Sequence, residues 1–183
     1  MANPNLSTFS LSHVGILDGT TGAEAADLFA VNEGSLELES DSYDRTGDDR
    51  IISTNRWITK GTLSVSTNYM PLDVMALLYG TTVASGASGI SMQLWAEGSM
   101  NTVPRPVVIE APGEDGDGVR YKVKFVLYKV KFGQISFGQF TSYKEGLAVS
   151  LEGDALLSTK DEMGQTFADT LGARIGKIVA VTV

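Results

Sequence analysis

Residues 61–80, GTLSVSTNYMPLDVMALLYG, leave this chain little choice of local structure. Leu63, Val65, Thr67 and Tyr69 alternate with Thr62, Ser64, Ser66 and Asn68, the period-2 pattern of a strand buried on one face. Pro71 then suits the first turn of a helix, where its missing N–H costs nothing. Asp73 places an acid where the helix dipole favours it. Val74, Met75, Leu77, Leu78 and Tyr79 supply apolar bulk, and Gly80 is placed to end the helix. A strand with one polar face running into a short apolar helix predicts a helix packed as a plug on a β-structure.

The remaining sequence reads mainly as strands. Residues 1–20 read as an N-terminal arm, with Phe9, Leu11 and His13 alternating and a turn at Asp18-Gly19. Residues 23–29 suit one or two helical turns. In residues 35–40, Leu36 and Leu38 alternate with Glu37 and Glu39, giving one apolar and one acidic face. Residues 41–50, DSYDRTGDDR, cannot carry a core and read as a long exposed polar loop. Residues 51–69 return as a long strand or bent pair, and residues 81–89 as a small-residue connection. Residues 90–96 and 107–110 are short strands, with Pro104 and Pro106 confining their neighbourhood to an edge or extended loop. Residues 112–118 are a turn.

Residues 119–132 carry the longest strand signal. Tyr121, Val123, Phe125 and Leu127 hold odd positions, then Tyr128, Val130 and Phe132 even ones. That parity flip requires a bulge or a strand that leaves one sheet for another. Residues 147–151 form a further strand with Leu147, Val149 and Leu151 inward. Residues 172–183 form an apolar C-terminal tail in need of a strand partner. The predicted fold is a single mainly-β domain over residues 1–183, a sandwich or half-barrel with one short flanking helix.

Chemistry is sparse. The chain has no cysteine and a single histidine, His13, in an alternating segment without a GxSxG context. No phosphate loop or dinucleotide fingerprint occurs. Asp115, Gly116, Asp117 and Gly118 lack the closing glutamate of a calcium loop and read as a hairpin turn. The spacing of the aspartates in 41–49 fits no named cation loop. No cofactor, metal site or catalytic residue is expected. A net charge of −8 opposes tight nucleic-acid binding, yet suits a surface past which nucleic acid slides. The first residues show no signal-peptide pattern, and no window is apolar enough for a membrane span. The protein is expected to be made in a cytoplasm.

Charge is segregated along the chain. Residues 33–50 hold Glu33, Glu37, Glu39, Asp41, Asp44, Asp48 and Asp49 against Arg45 and Arg50. Residues 120–131 hold Arg120, Lys122, Lys124, Lys129 and Lys131 and no acid. Two solvated faces would explain this. Patches that meet on different copies would also explain it, and such a contact closes into a ring or extends as a filament.

The order of elements carries a resemblance: GSLELES, the polar stretch YDRTGDDR, Trp57, GTLSVSTNYMPLDVMALLYG, then YKVKFVLYKVKF and EGLAVSLEGDALL. Over residues 30–157 the chain resembles the major tail tube proteins of long, flexible-tailed bacteriophages. The resemblance implies a β-sandwich with a flanking helix, homohexameric rings, and rings stacked into a hollow tube for DNA. It implies an acidic lumen, with Glu37, Glu39, Ser64, Ser66 and Asn68 as candidates. Asp41, Tyr43, Asp44, Arg45, Asp48, Asp49 and Arg50 become the candidate inter-ring loop. The five basic residues become a candidate subunit contact. Implied partners are further copies, the tape measure, tail terminator and tail tip proteins, and passing DNA, in a virion assembled in the host cytoplasm and without a membrane anchor. The related inner tube of a contractile injection or type VI secretion machine shares that architecture. A monomeric β-sandwich binding module is the reading from a different class.

Overall fold

The computed structural model describes residues 11–28, 31–47, 50–68, 70–86, 89–92, 103–114, 117–137, 149–168 and 172–182. The fold is mainly β with a single short helix among them, as the sequence predicts. In chain order the strands are β1 (His13–Leu17), β2 (Glu24–Asp27), β3 (Val31–Gly47) and β4 (Arg50–Thr67). The helix α1 (Leu72–Tyr79) follows, then β5 (Val83–Gly86), β6 (Gly89–Met92), β7 (Arg105–Glu114), β8 (Arg120–Phe137), β9 (Val149–Leu156) and β10 (Gly176–Thr182). One antiparallel sheet runs β2-β1-β7-β8-β9-β4-β3, with β10 also on β8, and β5 and β6 make a separate two-stranded sheet.

The sheet bends on itself. Val14 and Ile16 of β1 and Val107 of β7 share one buried cluster with Leu63 and Val65 of β4 and Leu151 of β9. Val74, Leu78 and Tyr79 of α1 complete it, so the helix is the predicted plug. Pro71 caps the helix in extended conformation, and Gly80 ends it at φ +64 with its N–H donating to the Ala76 carbonyl. That left-handed position is one glycine adopts without strain. Burial pushes the Tyr79 phenol up to about 12, so it stays neutral at any working pH.

The parity flip in β8 is a bulge. Val107 faces Leu127 but Arg105 faces Val130, so β8 spends one extra residue there. Leu127 and Val130 consequently both reach the main core. Val126 and Tyr128 instead join Leu17, Val108 and Phe167 on the opposite face. The same point marks a change of partner, from β10 along Tyr121–Leu127 to β9 along Val130–Phe137.

Several expectations are corrected. The supposed arm contains β1, whose Val14 and Ile16 are wholly buried. Residues 24–27 are strand rather than helix, because β1 offers them an open edge to pair with. Residues 83–86 and 89–92 pair as antiparallel strands, where 81–89 were expected to be a plain connection. The prolines do not confine β7 to an edge: it lies between β1 and β8. Pro106 falls at the register shift, and Pro112 lies beyond the β1 contact, so neither removes a needed donor. One expectation holds: the C-terminal tail has the strand partner it was expected to need, as β10 on β8. Tyr69, Leu147 and residues 93–102 lie outside the described residues.

The largest correction concerns residues 41–50. Residues 41–47 and 50 are not a loop: β3 and β4 pair from Val31↔Thr67 to Gly47↔Arg50, with register shifts at Val31/Glu33, Glu39/Ser40 and Arg45/Thr46. Asp48 and Asp49 lie outside the described residues. Among the described residues, β9 supports β4 only over Lys60–Thr67, so past Glu39↔Lys60 the described pairing is a two-stranded ribbon.

Candidate assembly surfaces

Antiparallel register decides which polar residues stand opposite one another. Across four strands, Ser35 faces Ser64, Ser64 faces Glu152, and Glu152 faces Gln134. One pair along, Glu33 faces Ser66, Ser66 faces Ser150, and Ser150 faces Ser136. In the other direction Glu37 faces Thr62, which faces Asp154, which faces Lys131. These rows lie opposite the core-facing Leu63, Val65 and Leu151, because successive side chains point to opposite faces.

The resulting face is a groove of about 270 Å³ whose polar lining is Glu33, Ser35, Ser64, Ser66, Ser136, Ser150 and Glu152. Short hydroxyls line it and acids fringe it. Glu33, Glu37, Glu39, Glu152 and Asp154 outnumber Lys60 and Lys131, and the Lys60 ammonium is already 3.3 Å from Glu39. Ser64 and Ser66 line the groove, while Glu37 and Glu39 continue the same face of β3 beyond it. Asn68 differs: it lies past the end of β4 and donates to Asn32 at 3.3 Å. Ser150, Glu152 and Asp154 were not among the candidates. Their alternation in β9 with Val149, Leu151 and Ala155 was a usable signal.

The basic strand does not present five free cations. Lys122 and Lys124 reach Glu110 at 2.8 and 2.6 Å, and that carboxylate is about nine-tenths buried. Burial would raise the Glu110 carboxyl, but hydrogen bonds and charge from the two lysines outweigh it and hold it below the ordinary carboxylate range. Arg120 lies 3.9 Å from Glu114. Three of the five basic residues therefore answer acids of their own chain. Lys129 and Lys131 are exposed. Sequence reading missed this because it set no register between β8 and the preceding strand β7, which brings Glu110 and Glu114 alongside.

His13 is held structurally. Its ring nitrogens lie 3.1 Å from Glu24 and 3.1 Å from Asp27, both on β2. Gly15 leaves the space that the His13–Glu24 pair spans, since a Cβ there would come within 2.9 Å of Glu24. The three side chains are the one group among the described residues close enough to share a metal ion. Two carboxylates on opposite sides of the imidazole fasten the edge strand.

The ribbon begins at a bulge. Glu39 faces Lys60 but Ser40 faces Ile58, leaving Thr59 extra, and its hydroxyl donates to the Glu39 carbonyl at 3.3 Å. Beyond it, Asp41 and Tyr43 are exposed. Asp44, Arg45 and Arg50 lie in the ladder, with side chains outside the described residues.

At the ribbon's base lies an apolar trough of about 1150 Å³. Leu36, Leu38, Trp57 and Ile58 bound it on one side, and Ile175, Gly176 and Ile178 on the other. Ile109, Phe125 and Leu127 also line it.

No helix among the described residues is long and apolar enough to cross a membrane. Neither a scan of protein-family models nor a search of curated proteins returns a match for this chain.

Proposed function

We propose that this chain is a structural subunit that assembles with copies of itself into stacked rings forming a hollow tube, the tail tube of a long-tailed bacteriophage. The observation that carries this reading is the hydroxyl-and-acid face spanning β3, β4, β9 and β8. A lone soluble sheet has no need of so wide a serine-rich face with a surplus of acid. Lining a conduit, that face repels phosphates and offers few cations to hold them. DNA passes without being bound.

In this reading the partners are the neighbouring copies, a tape measure protein, and the proteins that begin and end the tube; the site is the virion. The chain itself supplies no catalytic chemistry: it supplies shape and field. The core and α1 fix the sheet's curvature, and the polar rows sit on a rigid ladder instead of on loops.

Electron microscopy of the purified protein at rising concentration, with mass from light scattering, is the test. Rings or hollow tubes are expected. A Glu37→Lys/Glu39→Lys variant should still assemble, since both side chains are exposed, but particles carrying it should eject DNA poorly. Normal ejection by that variant would remove these two residues from the lumen.

A further inference from the structure

Strand β2 carries two acids that a regular strand would separate. Glu24 and Asp27 are three residues apart, an odd spacing that sends side chains to opposite faces. The register undoes this. Asp27 stands opposite Gly15 and Ala26 opposite Ile16, but Glu24 stands opposite Leu17, so Ala25 is an extra residue in β2. That bulge turns Glu24 onto the face shared by His13, Gly15 and Leu17, and both carboxylates meet the one imidazole. The remaining acid opposite His13 is Glu110, which Lys122 and Lys124 already hold.

Counting protons shows that this trio needs a cation. Nδ1 of His13 lies 3.1 Å from Asp27 Oδ1, and Nε2 lies 3.1 Å from Glu24 Oε1. A neutral imidazole offers one N–H and one lone pair, so it can donate to only one of the two. The other nitrogen then aims its lone pair at a carboxylate oxygen, and either a second proton or a metal ion must lie between them. The spacing admits a metal. Two tetrahedral ligands, each at the usual zinc distance of about 2.0–2.2 Å, stand about 3.3 Å apart. Gly15 decides which nitrogen takes it. A Cβ there would come within 3.0 Å of Nε2 and 3.1 Å of Glu24 Oε1, so the missing side chain keeps the approach to both donors open.

We infer that His13 Nε2 and Glu24 bind a divalent transition-metal ion, zinc by preference, with water completing its shell. Asp27 accepts the Nδ1–H and fixes the ring, the outer-shell role a carboxylate plays behind a metal-bound histidine. An imidazole beside a carboxylate suits zinc better than magnesium or calcium, which favour all-oxygen shells. The ion ties β2 to β1 at the edge of the described sheet, where the ladder between them has only three register pairs. The site stands apart from the tube reading and does not depend on it.

The test uses the whole chain without a histidine tag, stripped with chelator and titrated calorimetrically with zinc chloride. One zinc per chain is expected, undisturbed by excess magnesium. His13→Gln and Glu24→Gln should each abolish measurable binding, and Asp27→Asn should weaken it about 10–100-fold, the usual cost of losing an outer-shell partner. His13 is the only histidine, so nitrogen NMR reads its ring directly. Zinc should move the Nε2 signal while Nδ1 keeps its proton. Circular dichroism checks the variants, and the wild-type NMR titration decides the matter even where a variant fails to fold. An Nε2 signal unmoved by zinc overturns the site, as does zinc uptake unchanged in a folded His13→Gln chain. Displacement by magnesium overturns it too, leaving only a patch of acids. Zinc on Nδ1 would overturn the roles assigned to Glu24 and Asp27.

Discussion

The hairpin of β3 and β4 is two structures sharing one ladder. At its root, Leu63 and Val65 are buried against Leu151, and β9 supplies a third strand. Past the Thr59 bulge the same two strands pair only with each other. Backbone pairing is alike in both halves; what differs is whether a face finds apolar cover. The root is stabilised by the fold. Among the described residues, the tip is held by its ladder alone.

The sharpest way to break this comparison is to truncate one residue in each half. Leu63→Ala removes a wholly buried side chain from the shared core and should cost about 3–4 kcal/mol in denaturant unfolding of the monomer. Tyr43→Ala should change monomer stability by less than about 0.5 kcal/mol, since surface truncations rarely do more. Equal losses would mean that the tip is held by the fold after all.

A second test sharpens the root. Gly153 lies between Leu63 and Phe132 in the register. A Cβ there would come within 3.0 Å of both the Phe132 ring and Val130, with a backbone oxygen at 3.3 Å. Gly153→Ala should therefore cost about 1–3 kcal/mol by overpacking. An unchanged melting temperature would show slack in a core that buries Phe132 completely.

The contrast explains what the sequence could reveal. The root and helix were legible because burial imposes a period: Leu63, Val65 and Thr67 alternate, and α1 ends at the expected glycine. The tip was misread because DSYDRTGDDR has no apolar period and no strand-forming bias. The pairing of residues 41–47 and 50 is set by the ladder continuing from the root, which no local residue announces. The β8 bulge was visible as a parity flip, but its type needed the facing strand. The basic residues misled for a related reason, since Glu110 lies on a strand whose neighbour is fixed by topology. Of the candidate lumen residues, the serines were placed by alternation alone. Ser150, Glu152 and Asp154 became part of the same face only once β9 was seen to pair with β4.

Acid probes the sheet from the other side, where charge replaces apolar cover. The Glu110 carboxyl lies below its ordinary value of 4.5, held there by Lys122 and Lys124 against the opposing effect of burial. A depressed carboxylate contributes stability that is complete above the unfolded-state value and is lost as pH falls through the folded one. Unfolding free energy should thus decline below about pH 4.5. Glu110→Gln should flatten that decline and cost about 1–2 kcal/mol at neutral pH, as expected for a charged hydrogen-bond partner removed from a largely buried site. An unaltered acid slope in the variant would detach Glu110 from the sheet's pH response.

The smallest effect lies at the boundary itself. Glu39 and Lys60 pair at 3.3 Å on the last register step before the bulge, and both side chains are near half exposed. Water and salt screen such a pair, and holding two long side chains together sacrifices rotamer freedom. Glu39→Gln should cost less than about 1 kcal/mol, and the difference should shrink in high salt. Unfolding at low and high salt checks it. A larger, salt-insensitive loss would mean that the pair locks the bulge geometry; root and tip would then be coupled through Thr59, and the tip would inherit stability from the core. The expected small, screened loss leaves the bulge as a joint set by backbone geometry, with the ribbon's stability left to its own ladder.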